Sequence, residues 1–146
     1  MAESCSGGLL SDLVTDVPGS SKFYKGGLIA YSFEAKVNIL GIDPDLLKRE
    51  GEVSEATAKA MANAVRSLYG SDFGIGITGL AGPQGDSSGR PVGSVYVSVA
   101  GPPGCDCKKL NLIGGRRAVK ERAAQIALDM LRRMLITGQN TNQGQS

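Results

Sequence analysis

Apolar residues recur along this chain at two different periods, and the switches between them outline a layered domain. Leu9, Leu10, Leu13, Val14 and Val17 fall at helical spacing after Gly8, and Pro18-Gly19 ends the run. Gly26 to Tyr31 reads as a short buried strand, and Phe33 to Leu40 as a helix stopped by Gly41. Asp43-Pro44 opens a further turn or short helix, with proline suited to a first helical position. Ser54 is placed to cap a helix whose Ala58, Met61, Ala62, Val65, Leu68 and Tyr69 share one face, and Gly70 ends it. Phe73 to Leu80 is an apolar strand running into a glycine-rich turn, and Pro91 to Ala100 alternates valines as a strand does. Gly101-Pro102-Pro103-Gly104 turns the chain, so Lys108 to Ile113 is expected to return antiparallel. A last helix is expected from about Arg117 to Leu135, with Val119, Ala123, Ile126, Ala127, Met130, Leu131 and Met134 as its buried stripe.

Helices alternating with strands predict a single three-layer α/β/α domain over residues 1–137, with a mixed, mainly parallel sheet. Residues 138–146 are polar and are expected to form a disordered tail. Glu3-Ser4 leads straight into a helix, so the chain opens where a first strand should be finishing. That strand is expected to be truncated.

Composition narrows the chemistry. The chain has 146 residues, 41% hydrophobic and 21% charged, as a globular domain should. A net charge of +2, spread along the chain, gives no electrostatic case for nucleic acid. Aromatics at 5%, with no Trp, give little base-stacking surface. No apolar run approaches membrane-spanning length and the start lacks a secretory signal, so a cytoplasmic location is expected. Cys105 and Cys107 could face one side of a strand, but nothing completes a metal ligand set, and reduced thiols are expected. There is no histidine at all. Ser-His-Asp and Cys-His catalysis are therefore excluded within one subunit, and acid–base work falls to Lys, Tyr, Asp, Glu or a terminus.

Four segments are candidates for chemistry. Ser4-Cys5-Ser6-Gly7-Gly8 precedes a helix, where backbone N–H groups can stabilise an anion or oxyanion. The same residues also suit a capping serine and a tight turn, and the pattern alone favours that structural role. Tyr31 to Lys36 leaves a strand; a desolvated Lys36 can act as base toward a serine, and Tyr31 can hold a proton or merely pack. Thr78-Gly79 leads into a glycine-rich loop at a strand end, a common ligand position in α/β folds and equally a plain connection. Arg116 follows Gly114-Gly115, with a fork suited to phosphate or carboxylate.

Taken together, several motifs resemble the C-terminal domain of the competence/damage-inducible protein CinA, which also occurs alone as nicotinamide mononucleotide deamidase. They are Ala2 to Gly8, Pro18 to Ser21, Tyr31 to Lys36, Gly51 to Glu55, Thr78 to Pro83 and Arg90 to Val95, in order from about Ala2 to Leu135. The resemblance implies an amidohydrolase that converts nicotinamide mononucleotide to nicotinic acid mononucleotide and ammonia in pyridine nucleotide recycling. It places the nucleophile at Ser4, the base at Lys36 and a further catalytic group at Tyr31. It places substrate contacts at Ser6, Gly7, Gly8, Thr78, Gly79 and Arg116. No metal or cofactor is implied, and a homo-oligomer, first of all a dimer, is expected. The sequence departs from the family at Ser6, where Thr is usual, and at Phe33, where Asn is usual, and it lacks the helix and strand expected before the first motif. The alternative is a catalytically weak nucleotide-binding or regulatory domain that keeps the fold and pocket.

Overall fold

A computed structural model describes residues 1–142, with side chains up to 137. The elements in chain order are β1 (Ala2–Glu3), α1 (Leu9–Thr15), β2 (Leu28–Ile29), α2 (Phe33–Asn38), α3 (Pro44–Glu50), α4 (Glu55–Tyr69), β3 (Gly74–Gly79), β4 (Ser94–Gly101), β5 (Gly104–Asn111) and α5 (Arg116–Asn142). They build one mixed five-stranded sheet of order β2-β1-β3-β4-β5, with helices on both faces. β1 is parallel to β2 and β3, whereas β3–β4 and β4–β5 are antiparallel. The parallel pairings, expected to dominate, are the short ones, because β1 and β2 are two residues long each.

Two cores sandwich the sheet. Leu10 of α1, Ile75, Ile77, Val95, Val97 and Val99 of the strands, and Val119, Ala123 and Ala127 of α5 close one face. Ala2, Ala30, Leu40, Ile42, Leu47, Met61 and Val65 close the other, beneath α2, α3 and α4. The alternation of β3 decides how close α4 comes. Its isoleucines point toward α5, while a Cβ on Gly76 would stand 2.3 Å from the Ala58 carbonyl oxygen and one on Gly74 2.1 Å from that of Ala62. With only hydrogens there, α4 lies directly on the strand backbone.

Three expectations change. The strand expected over Gly26 to Tyr31 contracts to Leu28–Ile29, and Ile29 is exposed, because β2 is the sheet edge. Leu68 is 56% exposed rather than on the buried face, because the last turn of α4 packs Tyr69 against the core in its place. α5 begins one residue early and its backbone runs beyond Leu135 to Asn142; of the tail expected from 138, residues 143–146 lie outside the described residues. No helix among the described residues is long and apolar enough to cross a membrane.

Candidate active site

The opening motif is held by a residue that carries no obvious signal in the sequence. Glu3 is fully buried, and its carboxylate accepts from Ser6 Oγ (2.7 Å), Gly8 N (3.1 Å), Leu10 N (3.0 Å), Ser11 N (2.8 Å) and Ser11 Oγ (2.7 Å). It therefore satisfies the N–H groups that α1 leaves unpaired at its start, the task that the sequence reading gave to a serine. Gly7 and Gly8 have φ of 63° and 98°, the left-handed turn that returns the chain over Glu3. Ser6, Gly7 and Gly8, expected at the substrate, thus build the turn. Gly7 N donates to Ser4 O at 3.0 Å, Gly8 N to Glu3, and Ser6 Oγ to Glu3. None of the three lines the cavity described next.

Ser4 continues β1, with its N–H bonded to Ile77 O at 2.9 Å, and so comes out at the strand end. There a cavity of about 430 Å³ is lined by Ser4, Cys5, Tyr31, Lys36, Glu52, Thr78, Gly79, Arg116 and residues of the loop after β3. Ser4, Tyr31, Lys36, Thr78, Gly79 and Arg116 come from four separate stretches of chain, and the fold brings all of them to this one space. Among the described residues nothing hydrogen-bonds the Ser4 hydroxyl or the Ser6 amide, while the Cys5 N–H faces its own thiol. Cys5 is no rival nucleophile. Burial pushes its thiol up from 9.0 to about 11, against the lowering fields of Arg116 and Lys36, so it stays protonated near neutrality.

Lys36 lies in α2 with its side chain only 2% exposed, and its Nζ donates to Glu52 Oε2 at 2.8 Å. Thr78 Oγ1 donates to the Glu52 carbonyl at 2.7 Å, so its proton is committed to positioning Glu52 and not offered to an oxyanion. Arg116 reaches from the start of α5 to the Gly82 carbonyl and, through Nη2, to the Tyr31 hydroxyl at 2.7 Å. Tyr31, expected to handle a proton, is 56% exposed and bonded to Arg116, not to Ser4 or Lys36. Phe33 packs on the core under α2. The three cysteines are free, and no group of three or more His, Cys, Asp or Glu residues able to hold a metal ion occurs among the described residues.

The family model for the CinA C-terminal domain matches residues 1–135. The chain belongs to the CinA C-terminal domain family. It is 45% identical over 137 residues to a CinA-like protein of Geobacter sulfurreducens, covering 94% of this chain and 33% of that one. A CinA-like protein of Mycobacterium avium is 47% identical over 139 residues, covering 92% and 32%. The chain thus spans about a third of the length of the curated relatives it matches. Among solved structures, the competence damage-inducible protein A of Klebsiella pneumoniae superposes with a TM-score of 0.90 at 32% identity, covering 92% of this chain and 84% of that one. A competence or damage-inducible protein from Enterobacter asburiae gives 0.87 at 35%, covering 89% and 82%.

In this CinA domain, two acidic residues escaped the sequence reading. Glu3 sits inside a motif whose serines and glycines carry the stronger chemical signal. Glu52 precedes a helix cap, where a carboxylate is ordinarily solvated. Only the fold brings one under α1 and the other to Lys36.

Proposed function

We propose that this domain hydrolyses the carboxamide of nicotinamide mononucleotide, releasing ammonia and nicotinic acid mononucleotide. One observation carries the reading: an unengaged serine hydroxyl and a buried lysine line the same cavity, in a chain without histidine. Ser4 Oγ attacks the amide carbon while the Lys36 amine takes its proton. The Cys5 and Ser6 N–H groups, the second without an acceptor among the described residues, hold the developing oxyanion. The Lys36 ammonium then protonates the departing nitrogen, and water resolves the acyl-enzyme by the reverse use of the same base. Arg116 supplies the planar fork for the substrate phosphate.

The Lys36–Glu52 ion pair is the observation that favours the second reading, a nucleotide-binding regulatory domain, because an engaged ammonium is not a base. Ammonia release from nicotinamide mononucleotide by the purified chain separates the two, beside Ser4→Ala and Lys36→Ala. Turnover lost in both variants supports hydrolysis. Undiminished turnover in Ser4→Ala sinks the nucleophile, and binding without ammonia leaves the regulatory domain. Assembly into a homodimer belongs to the same proposal and is read by sedimentation.

A further inference from the structure

We infer that Glu52 is the proton partner of Lys36, taking the ammonium proton when substrate fills the cavity and thereby freeing the amine that activates Ser4. The inference rests on the amidohydrolase reading and adds a residue to it. The Lys36 Nζ has one hydrogen-bond acceptor among the described residues, Glu52 Oε2 at 2.8 Å. The lysine side chain is 2% exposed and the glutamate 43%, so the pair spans the boundary between interior and cavity.

Glu52 is also held in place. Its own carbonyl accepts from Thr78 Oγ1 at 2.7 Å, and the preceding Gly51 carbonyl accepts from Thr57 Oγ1 at 2.7 Å and Ser54 Oγ at 3.0 Å. The end of β3 and the cap of α4 thus pin the backbone on which this carboxylate stands. A carboxylate that merely decorated the surface would need no such anchoring.

The remaining titratable groups that line the cavity come from four segments. They are Cys5 from the turn after β1, Tyr31 from the link into α2, Asp86 from the loop after β3, and Arg116 from α5. Asp86 is occupied by Ser88 and Arg90, and Tyr31 by Arg116. Glu52 alone is bonded to the lysine.

With water present, the ion pair is the stable form. Substrate displaces that water, which raises the cost of two opposite charges relative to the neutral acid and amine. One proton passes from Nζ to Oε2. The freed Nζ lone pair takes the Ser4 proton as the Oγ–C bond forms and the carbonyl π pair moves onto oxygen. When that pair returns and the C–N bond breaks, Lys36 gives its proton to the leaving nitrogen, which departs as ammonia. Water repeats the cycle on the acyl-enzyme. Glu52 holds its proton through both halves and returns it to Lys36 as product leaves. Glu52 acts through Lys36 and is a positioning residue for the reaction.

The test is the pH profile of kcat for ammonia release from nicotinamide mononucleotide, in wild type, Glu52→Gln and Glu52→Asp. The neutral pair has as many protons as the ion pair, so wild-type kcat should be independent of pH around neutrality. In Glu52→Gln that internal proton acceptor is gone, so kcat should fall by roughly 10²-fold near neutrality and the flat profile should be lost, with KM little changed. Glu52→Asp should recover part of the rate and the flat profile. A Glu52→Gln enzyme with wild-type kcat and a flat profile overturns the inference. A stability cycle of Lys36→Met, Glu52→Gln and the double variant, read by denaturant melts, checks the pairing without turnover. Additive losses overturn it. A wild type that releases no ammonia while the cycle remains non-additive overturns the proton step through failure of the amidohydrolase reading alone.

Discussion

Arg116 Nη2 donates to the Tyr31 hydroxyl at 2.7 Å, tying the start of α5 to the link between β2 and α2 across the mouth of the cavity. The same guanidinium binds the Gly82 carbonyl, so three separate segments meet on one side chain. Arg116→Ala should raise KM for nicotinamide mononucleotide at least roughly tenfold, with a smaller effect on kcat, and Arg116→Lys should not restore it, because an ammonium lacks the fork. Tyr31→Phe should raise KM modestly and leave kcat within about threefold. A large fall in kcat for Tyr31→Phe would return the phenol to the proton pathway. Steady-state kinetics decides.

Ser4 and Ser6 stand two residues apart and should behave oppositely. Ser4→Ala removes a hydroxyl with no partner among the described residues, so ammonia release should fall by roughly 10³-fold or more while stability changes by less than about 1 kcal/mol. Ser6→Ala removes a buried donor to the Glu3 carboxylate and should cost about 2 kcal/mol in denaturant melts, with kcat retained at low temperature.

Burial raises the Cys5 thiol from 9.0 to about 11 and the half-buried Cys107 thiol to about 12. A group raised on folding contributes stability that is complete below its unfolded value and lost as pH climbs through the folded one. Thermal stability should therefore decline between about pH 9 and 12, and Cys5→Ala should flatten the part of that decline below about pH 11. Iodoacetamide near pH 8 should leave Cys5 unmodified in the folded chain and label it after denaturation, as mass spectrometry would show.

Gly76→Ala places a methyl 2.3 Å from the Ala58 carbonyl oxygen and 2.8 Å from the Ala62 amide nitrogen. Both are backbone atoms of α4, so the helix must lift, at a cost of about 3 kcal/mol. Gly115→Ala meets nothing within 4 Å and should change stability by less than about 1 kcal/mol. Equal melting of the two variants would contradict the contact between α4 and β3.

What could be read in the sequence was what repeats locally. The cap at Ser54, whose Oγ accepts from Thr57 N at 3.1 Å, and the buried Ala58, Met61, Ala62 and Val65 behind it follow from helical spacing. The β4–β5 hairpin follows from its valines and its turn. β1 and β2 are too short for any period to register, and their pairing depends on β3, which lies far along the chain. The same distance hid the site's second layer. Lys36 and Glu52 are 16 residues apart and Thr78 and Glu52 are 26 apart, so neither hydrogen bond has a local signature. Ser6, Gly7 and Gly8 stay ambiguous in the sequence, because a turn that wraps a carboxylate uses the same residue types as one that cradles a ligand.

Ala2, Glu3 and Ser4 are consecutive, yet one fills a core, the next anchors α1 and the third faces the cavity. The proposed nucleophile and the seat of α1 are thus neighbouring links at the end of one short strand. If warming loosens α1 before the rest of the domain, Glu3 loses its donors and Ser4 loses its place at the same moment. Heat inactivation should then precede melting, which would make the reaction rate a thermometer for one helix.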